Sequence, residues 1–67
     1  MLAGRVVAFD AARGLGTVRG HDGAELTFHS TRLLDRSRAV EVGAIVVYTP
    51  GPGAAPGSWE ATALVKV

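Results

Sequence analysis

The stretch Arg13-Gly14-Leu15-Gly16-Thr17-Val18 decides how the chain is read. Two glycines bracket a leucine, a basic residue leads in, and β-forming residues follow. Downstream, Leu26-Thr27-Phe28-His29 has the alternation expected of a partner strand. Successive side chains of a strand point to opposite faces, so pairing the two stretches sorts them. One face carries Leu15, Thr17, Thr27 and His29, and the other carries Val18, Leu26 and Phe28. The first face is a candidate binding surface and the second a candidate core.

Working outward, residues 4–10 read as a first strand, rich in β-branched and aromatic residues and ended by Asp10. The connection Ala11-Ala12-Arg13-Gly14 has no apolar period long enough for a helix. Residues 15–19 form a second strand, Gly20-His21-Asp22-Gly23 a turn with Asp-Gly as its hairpin signal, and residues 25–29 a third. Such short connections allow only an antiparallel meander. Residues 30–34 suit one short helical or 3₁₀ turn with Leu33 or Leu34 plugging the core, and Asp35-Arg36-Ser37-Arg38 reads as an exposed loop. Residues 44–49, the most apolar run, form a fourth strand, with Tyr48 packing on the barrel. Three prolines and three glycines within residues 50–57 predict an irregular, flexible connection. Residues 59–67 close the chain as a fifth strand, with Trp59 as a barrel plug or lid or, if exposed, a replacement platform for a base or a contact for a protein partner. The expected fold is all-β: a small five-stranded antiparallel OB-fold barrel occupying residues 1–67 as one domain, closed so that no sheet edge is exposed.

Composition narrows the function. At 67 residues the chain is near the lower limit at which a core alone offsets chain entropy. It has no cysteine, hence no disulfide framework and no thiolate metal site. No apolar run approaches the ~20 residues of a membrane span, so a cytoplasmic protein without membrane contact is expected. Two histidines and no cysteine offer no metal cluster, and no cofactor is expected. His29 and Ser30 are neighbours pointing to opposite faces of a strand, which rules out a base–nucleophile pair there. No Lys-Ser/Thr pair follows the glycines, so they form no phosphate loop, and an enzyme is not expected. The net charge of +1 is no strong positive field, yet six of seven basic residues are Arg, and Arg32, Arg36 and Arg38 cluster. The guanidinium fork suits phosphate better than an ammonium does.

The residues now on the page resemble the bacterial cold-shock domain. Gly4-x-Val6-x-x-Phe9 is similar to that family's opening G-x-V-K-W-F. Arg13-Gly14-Leu15-Gly16-Thr17-Val18 resembles its first ribonucleoprotein motif, K-G-F-G-F-I, and Leu26-Thr27-Phe28-His29 its second, V-F-V-H. Asp22-Gly23 matches the D-G turn, Leu33 the apolar residue after the second motif, and Val42-Gly43 the E-G before the fourth strand. Residues 53–64 loosely resemble the closing G-x-x-G-P-x-A-x-x-V. The resemblance implies an OB-fold barrel and a single-stranded RNA or DNA ligand, with a role as RNA chaperone or transcriptional regulator.

The departures fall on the rings. Where the family stacks bases on aromatic residues, this chain has Ala8, Leu15, Thr17, Thr27 and Ser30, leaving Phe9 and His29 as the only rings. The core positions Val6, Val18, Leu26, Phe28, Val46 and Leu64 stay apolar. A stacked base is worth ~1–3 kcal/mol, so losing several platforms removes roughly 4–10 kcal/mol at the upper end. Weak, salt-sensitive binding follows. The candidate nucleic-acid-binding residues are Phe9, Leu15, Thr17, Thr27 and His29 on the face, with Arg5, Arg13, Arg19, Arg32 and Arg38 for phosphates. Against them stand plainer readings: Phe9 as core filler, His29 as an exposed strand histidine, the arginines as solvated charges, Gly14 and Gly16 as turn and bulge geometry. The alternative function is a protein-interaction barrel, homodimerising through the same face.

Overall fold

Val6 and Phe9 are both apolar but three residues apart, a spacing that a regular strand would split between its two faces. The computed structural model, which describes residues 1–53 and 55–67, shows how the chain resolves this. Strand β1 (Leu2–Asp10) pairs antiparallel with β2 (Leu15–Gly20), and the register slips between Val6 and Ala8. Val7 is thereby an extra residue, a β-bulge. Val6 faces Val18, Ala8 then faces Thr17, and Phe9 faces Gly16. Both apolar side chains of β1 reach the inside.

The same device recurs at the far side. Strand β3 (Glu25–His29) leads through a 3₁₀ turn (Ser30–Arg32) to β4 (Ile45–Pro52), and β5 (Trp59–Lys66) ends the chain. Ala61 and Leu64 are again three apart and both buried. Pro50 pairs with Ala61 and Thr49 with Ala63, so Thr62 is the extra residue. Its hydroxyl donates to the Thr49 carbonyl at 2.9 Å, closing the gap in the ladder.

The strands close in the order β1-β2-β3-β5-β4 and back to β1, a small OB-fold-like barrel. β1, β2 and β3 form the expected meander, with Leu15 opposite His29 and Thr17 opposite Thr27. One expectation needs correction, for the pairing is mixed and not purely antiparallel. β3 and β5 run parallel where Thr27 meets Glu60, and a parallel bridge joins Leu33 to Leu64. The cause is the closure itself: β1–β2, β2–β3, β1–β4 and β4–β5 are all antiparallel, so the fifth contact of a five-stranded ring joins two strands that run the same way.

A second correction concerns the proline-rich stretch. β4 does not stop at Thr49 but continues through Pro50, Gly51 and Pro52, which pairs with Trp59. β1 begins opposite Tyr48, so beyond that point β4 has no β1 neighbour on its other edge. Proline, which lacks the ladder donor, is tolerated on such an edge. The Gly53 amide then donates to the Ser58 carbonyl at 2.9 Å across the mouth of the loop.

The core consists of Val6, Val18, Phe28, Leu33, Val40, Val46, Tyr48, Ala61 and Leu64, with Phe9, Leu26 and Ala44 packed against it. Leu33, not Leu34, is the plug. The two large rings sit where glycine clears the wall. A Cβ on Gly4 would lie 3.0 Å from Tyr48 Cε1, and one on Gly20, directly across the ladder, 2.7 Å from the Tyr48 hydroxyl. Burial, and to a lesser extent the charge of Asp22, pushes that hydroxyl's pKa up. On Gly16 a Cβ would strike the Phe28 ring, with Cε1 at 2.7 Å. No helix among the described residues is long and apolar enough to cross a membrane.

Gly16 is therefore a packing residue. Gly16→Ala should lower stability by about 1–3 kcal/mol, as overpacking does, read as a lower urea midpoint. An unchanged midpoint would show that Phe28 can swing aside.

Candidate nucleic-acid interface

The register places the candidate face in two rows. Ala8, Thr17 and Thr27 form one across β1, β2 and β3, and Asp10, Leu15 and His29 form the next. Ala8, Thr27, Leu15 and His29 are exposed, and Thr17 is half-buried. The outward set inferred from the sequence is thus brought together. Because the side chains are small, the face is dished: Ala8, Phe9, Leu15, Thr17 and Thr27 line a hollow of about 270 Å³, with Asp10 at its rim.

Phe9 takes part differently from a free platform. Its ring stacks on Phe28 with centroids 6.1 Å apart and planes 12° from parallel. One face of the ring is committed to the core, and only the remainder borders the hollow.

The β1–β2 turn closes the lower edge. The Asp10 carboxylate accepts from the Ala12 and Arg13 amides at 3.1 and 3.2 Å, and the Gly14 amide donates to the Asp10 carbonyl at 2.8 Å. Gly14 has φ of +67°, the left-handed region that glycine enters without penalty. Gly14 therefore serves the turn, whereas Gly16 serves the core and not a bulge. The Ser30 amide donates to the Gly14 carbonyl at 2.8 Å, tying the turn to the end of β3.

The arginines divide into two groups. Arg19 is bound to Glu25, its Nε and Nη2 at 2.9 and 2.6 Å from Oε2, and Arg13 Nε lies 3.9 Å from Asp10 Oδ2. Exposed pairs of this kind are worth ~0.2–1 kcal/mol, so a phosphate could displace them cheaply, but the neighbouring carboxylate would still repel it. Arg5, Arg32, Arg36 and Arg38 make no ion pair among the described residues. Arg5 lies beside the Ala8 row but opposite Arg19, and Arg32 and Arg38 belong to the excursion after β3. The ten candidate residues thus do not form one patch.

That excursion is more ordered than its polar sequence suggests. Leu33 and Val40 anchor its ends in the core, and the Leu34 amide donates to the Leu64 carbonyl at 2.9 Å. Between them the Ser37 amide donates to Asp35 Oδ1 at 2.9 Å, and Lys66 Nζ reaches Ser37 Oγ at 2.8 Å and Asp35 Oδ2 at 3.0 Å. Arg36 and Arg38 have φ of 62° and 58°. Left-handed backbone costs a non-glycine residue of order 1 kcal/mol. Arg36, outside the expected set, is the residue sequence reasoning missed: nothing in a polar loop signals its backbone.

Trp59 is a further correction. Expected as a plug or lid, it is 62% exposed. Tyr48, Phe28 and Leu64 already fill the interior, and Trp59 begins its strand opposite Pro52, at the barrel's rim. It directly precedes Glu60, the residue that pairs with Thr27, so strand alternation turns the indole to the opposite side from the hollowed face. No protein-family model and no curated protein sequence matches the chain.

The Asp35 network carries a pH signature. The Ser37 amide, the Ser37 hydroxyl and Lys66 together hold the Asp35 carboxyl down at about 2, against an ordinary 3.8. A depressed pKa stabilises the fold above the unfolded value and loses that contribution as pH falls through the folded one. The gap in urea midpoint between wild type and Asp35→Asn should therefore be constant above 3.8 and shrink towards about 2. A gap that stays constant across this window would remove the network's role.

Proposed function

We propose that the chain is a divergent cold-shock-type barrel that binds single-stranded RNA or DNA weakly, as an RNA chaperone or transcriptional regulator in the cytoplasm. The observation that carries the reading is the hollow of about 270 Å³ on the outward face of β1, β2 and β3. It is smaller than the ~300–1,000 Å³ of drug-sized pockets, so it suits a single flat ring. Leu15 and Ala8 offer apolar contact to such a ring, and the Thr17 and Thr27 hydroxyls offer hydrogen bonds to its edge. His29 lies in the next row for a second base. Arg5, Arg32 and Arg38 supply positive charge not cancelled by a carboxylate among the described residues. The resemblance over both ribonucleoprotein motifs supports the same assignment.

Titration with short pyrimidine-rich strands at low salt, followed by Trp59 fluorescence, tests the reading. Binding should appear within the ~100 μM range of non-specific electrostatic association and weaken steeply with salt. No binding at that concentration sinks it. Thr17 and Thr27 face each other across the ladder, so Thr17→Phe with Thr27→Phe should rebuild two stacking rings. Each is worth ~1–3 kcal/mol, a gain of roughly 5- to 150-fold per ring. A folded double variant with unchanged affinity would move the ligand to another surface.

A second reading, a homodimerising barrel, is favoured by one observation on the opposite side. Ala3, Val47 and Val65 form an outward row across β1, β4 and β5, and Ile45 and Val65 are each 41% exposed. This surface is more apolar than the threonine-lined face first considered for dimerisation. Sedimentation should then show concentration-dependent mass that Val65→Lys abolishes and salt leaves unchanged. A monomer at all concentrations removes this reading.

A further inference from the structure

The excursion after β3 forms a second concavity, of about 440 Å³, lined by Ser30, Thr31, Leu33, Arg36 and Arg38. Three of its features point the same way. Two arginines line it, and neither makes an ion pair among the described residues. Asp35, the acid nearest in sequence, is held by Lys66 and Ser37, so its charge is already countered. Ser30 and Thr31 add two hydroxyls at the same wall.

Backbone conformation adds an independent observation. Among the described residues, six have left-handed φ, and four of them are glycine: Gly14, Gly23, Gly43 and Gly57. The other two are Arg36 and Arg38. Glycine is what this conformation favours, yet arginine stands at both positions, and both residues line one cavity. Strain of this kind collects at functional sites, and the network from Leu33 to Val40 holds the bend against relaxation.

We infer that this concavity is a phosphate site, gripping a backbone phosphate of a single strand through the forked donors of Arg36 and Arg38 and the hydroxyls of Ser30 and Thr31. The inference rests on the reading of the β1–β2–β3 face as a base-binding surface. The geometry connects the two. Ser30 follows His29 directly, and its amide is bonded to Gly14, so the cavity begins where the face ends. A strand whose bases lie over Thr17, Leu15 and His29 would run its backbone on into it. Arginine's planar fork suits a phosphate oxygen pair.

The test uses Arg36→Gly with Arg38→Gly, because glycine relieves the backbone while deleting the cations. The variant should melt at the same temperature as wild type or higher, which a merely structural role for the arginines would not allow. Its affinity for a short pyrimidine strand should fall about fivefold at 0.1 M salt, and the slope of log K against log salt should become shallower by about 0.7, one phosphate contact on a single strand. In a parallel arm, inorganic phosphate should shift the wild-type amide resonances of Ser30, Thr31 and Ser37 but not those of the variant. Unchanged affinity and slope in the variant overturn the inference. Failure of wild type to bind the strand defeats the base-binding reading instead. The phosphate arm then decides the cavity separately: shifts lost in the variant uphold an oxyanion site, and no shift in wild type removes it.

Discussion

The fold depends on two aromatic rings lying flat against strand backbones that carry no side chain. Phe28 presses on Gly16, and Tyr48 covers the facing pair Gly4 and Gly20. A barrel of five short strands has little interior, and these rings occupy much of it with side chains that are wholly or almost wholly buried. Packing at crystal-like density leaves no slack for even one methyl group in such a place. The glycines of the first motif are therefore fixed by what is inside the barrel, whatever lies outside. The glycines of the stretch and the small residues on its outward face therefore answer to separate physical constraints.

The two bulges follow from the same economy. Val6 with Phe9, and Ala61 with Leu64, each put two inward residues three apart, and each pair needs one extra residue in its strand. A bulge increases local twist and bend, which a small barrel needs in order to close. On β1 it also turns Ala8 outward, into the row with Thr17 and Thr27. Core packing thus sets the geometry of the candidate face from behind.

Much of this was legible in the sequence because period-two alternation is a strong signal where one face is buried. The in-register rows of β2 and β3 and their inward set follow from it, whereas the choice between Leu33 and Leu34 as plug lies in a turn where alternation does not apply. Where alternation gives no guidance the reading failed, for different reasons. Pro50 and Pro52 look incompatible with a strand until it is known that β4 lacks a neighbour there. The parallel contact of Thr27 with Glu60 comes from closing an odd number of strands, a property of the whole ring that no local pattern records. Trp59 seemed a natural plug because it is large and apolar, but the space was already filled. Of the site, the sequence showed which side chains share a face but not the dishing of that face, since a hollow is a property of what is missing.

Charge sharpens the contrast between the two halves of the surface. Near the ribonucleoprotein motifs, Arg13 and Arg19 each stand beside a carboxylate, so the face itself is close to neutral. In the excursion Lys66 occupies Asp35, and Arg32, Arg36 and Arg38 make no ion pair among the described residues. A net charge of +1 therefore conceals a separation: Arg13 and Arg19 are paired with Asp10 and Glu25 around the β1–β2–β3 face, while the three arginines of the excursion make no ion pair among the described residues.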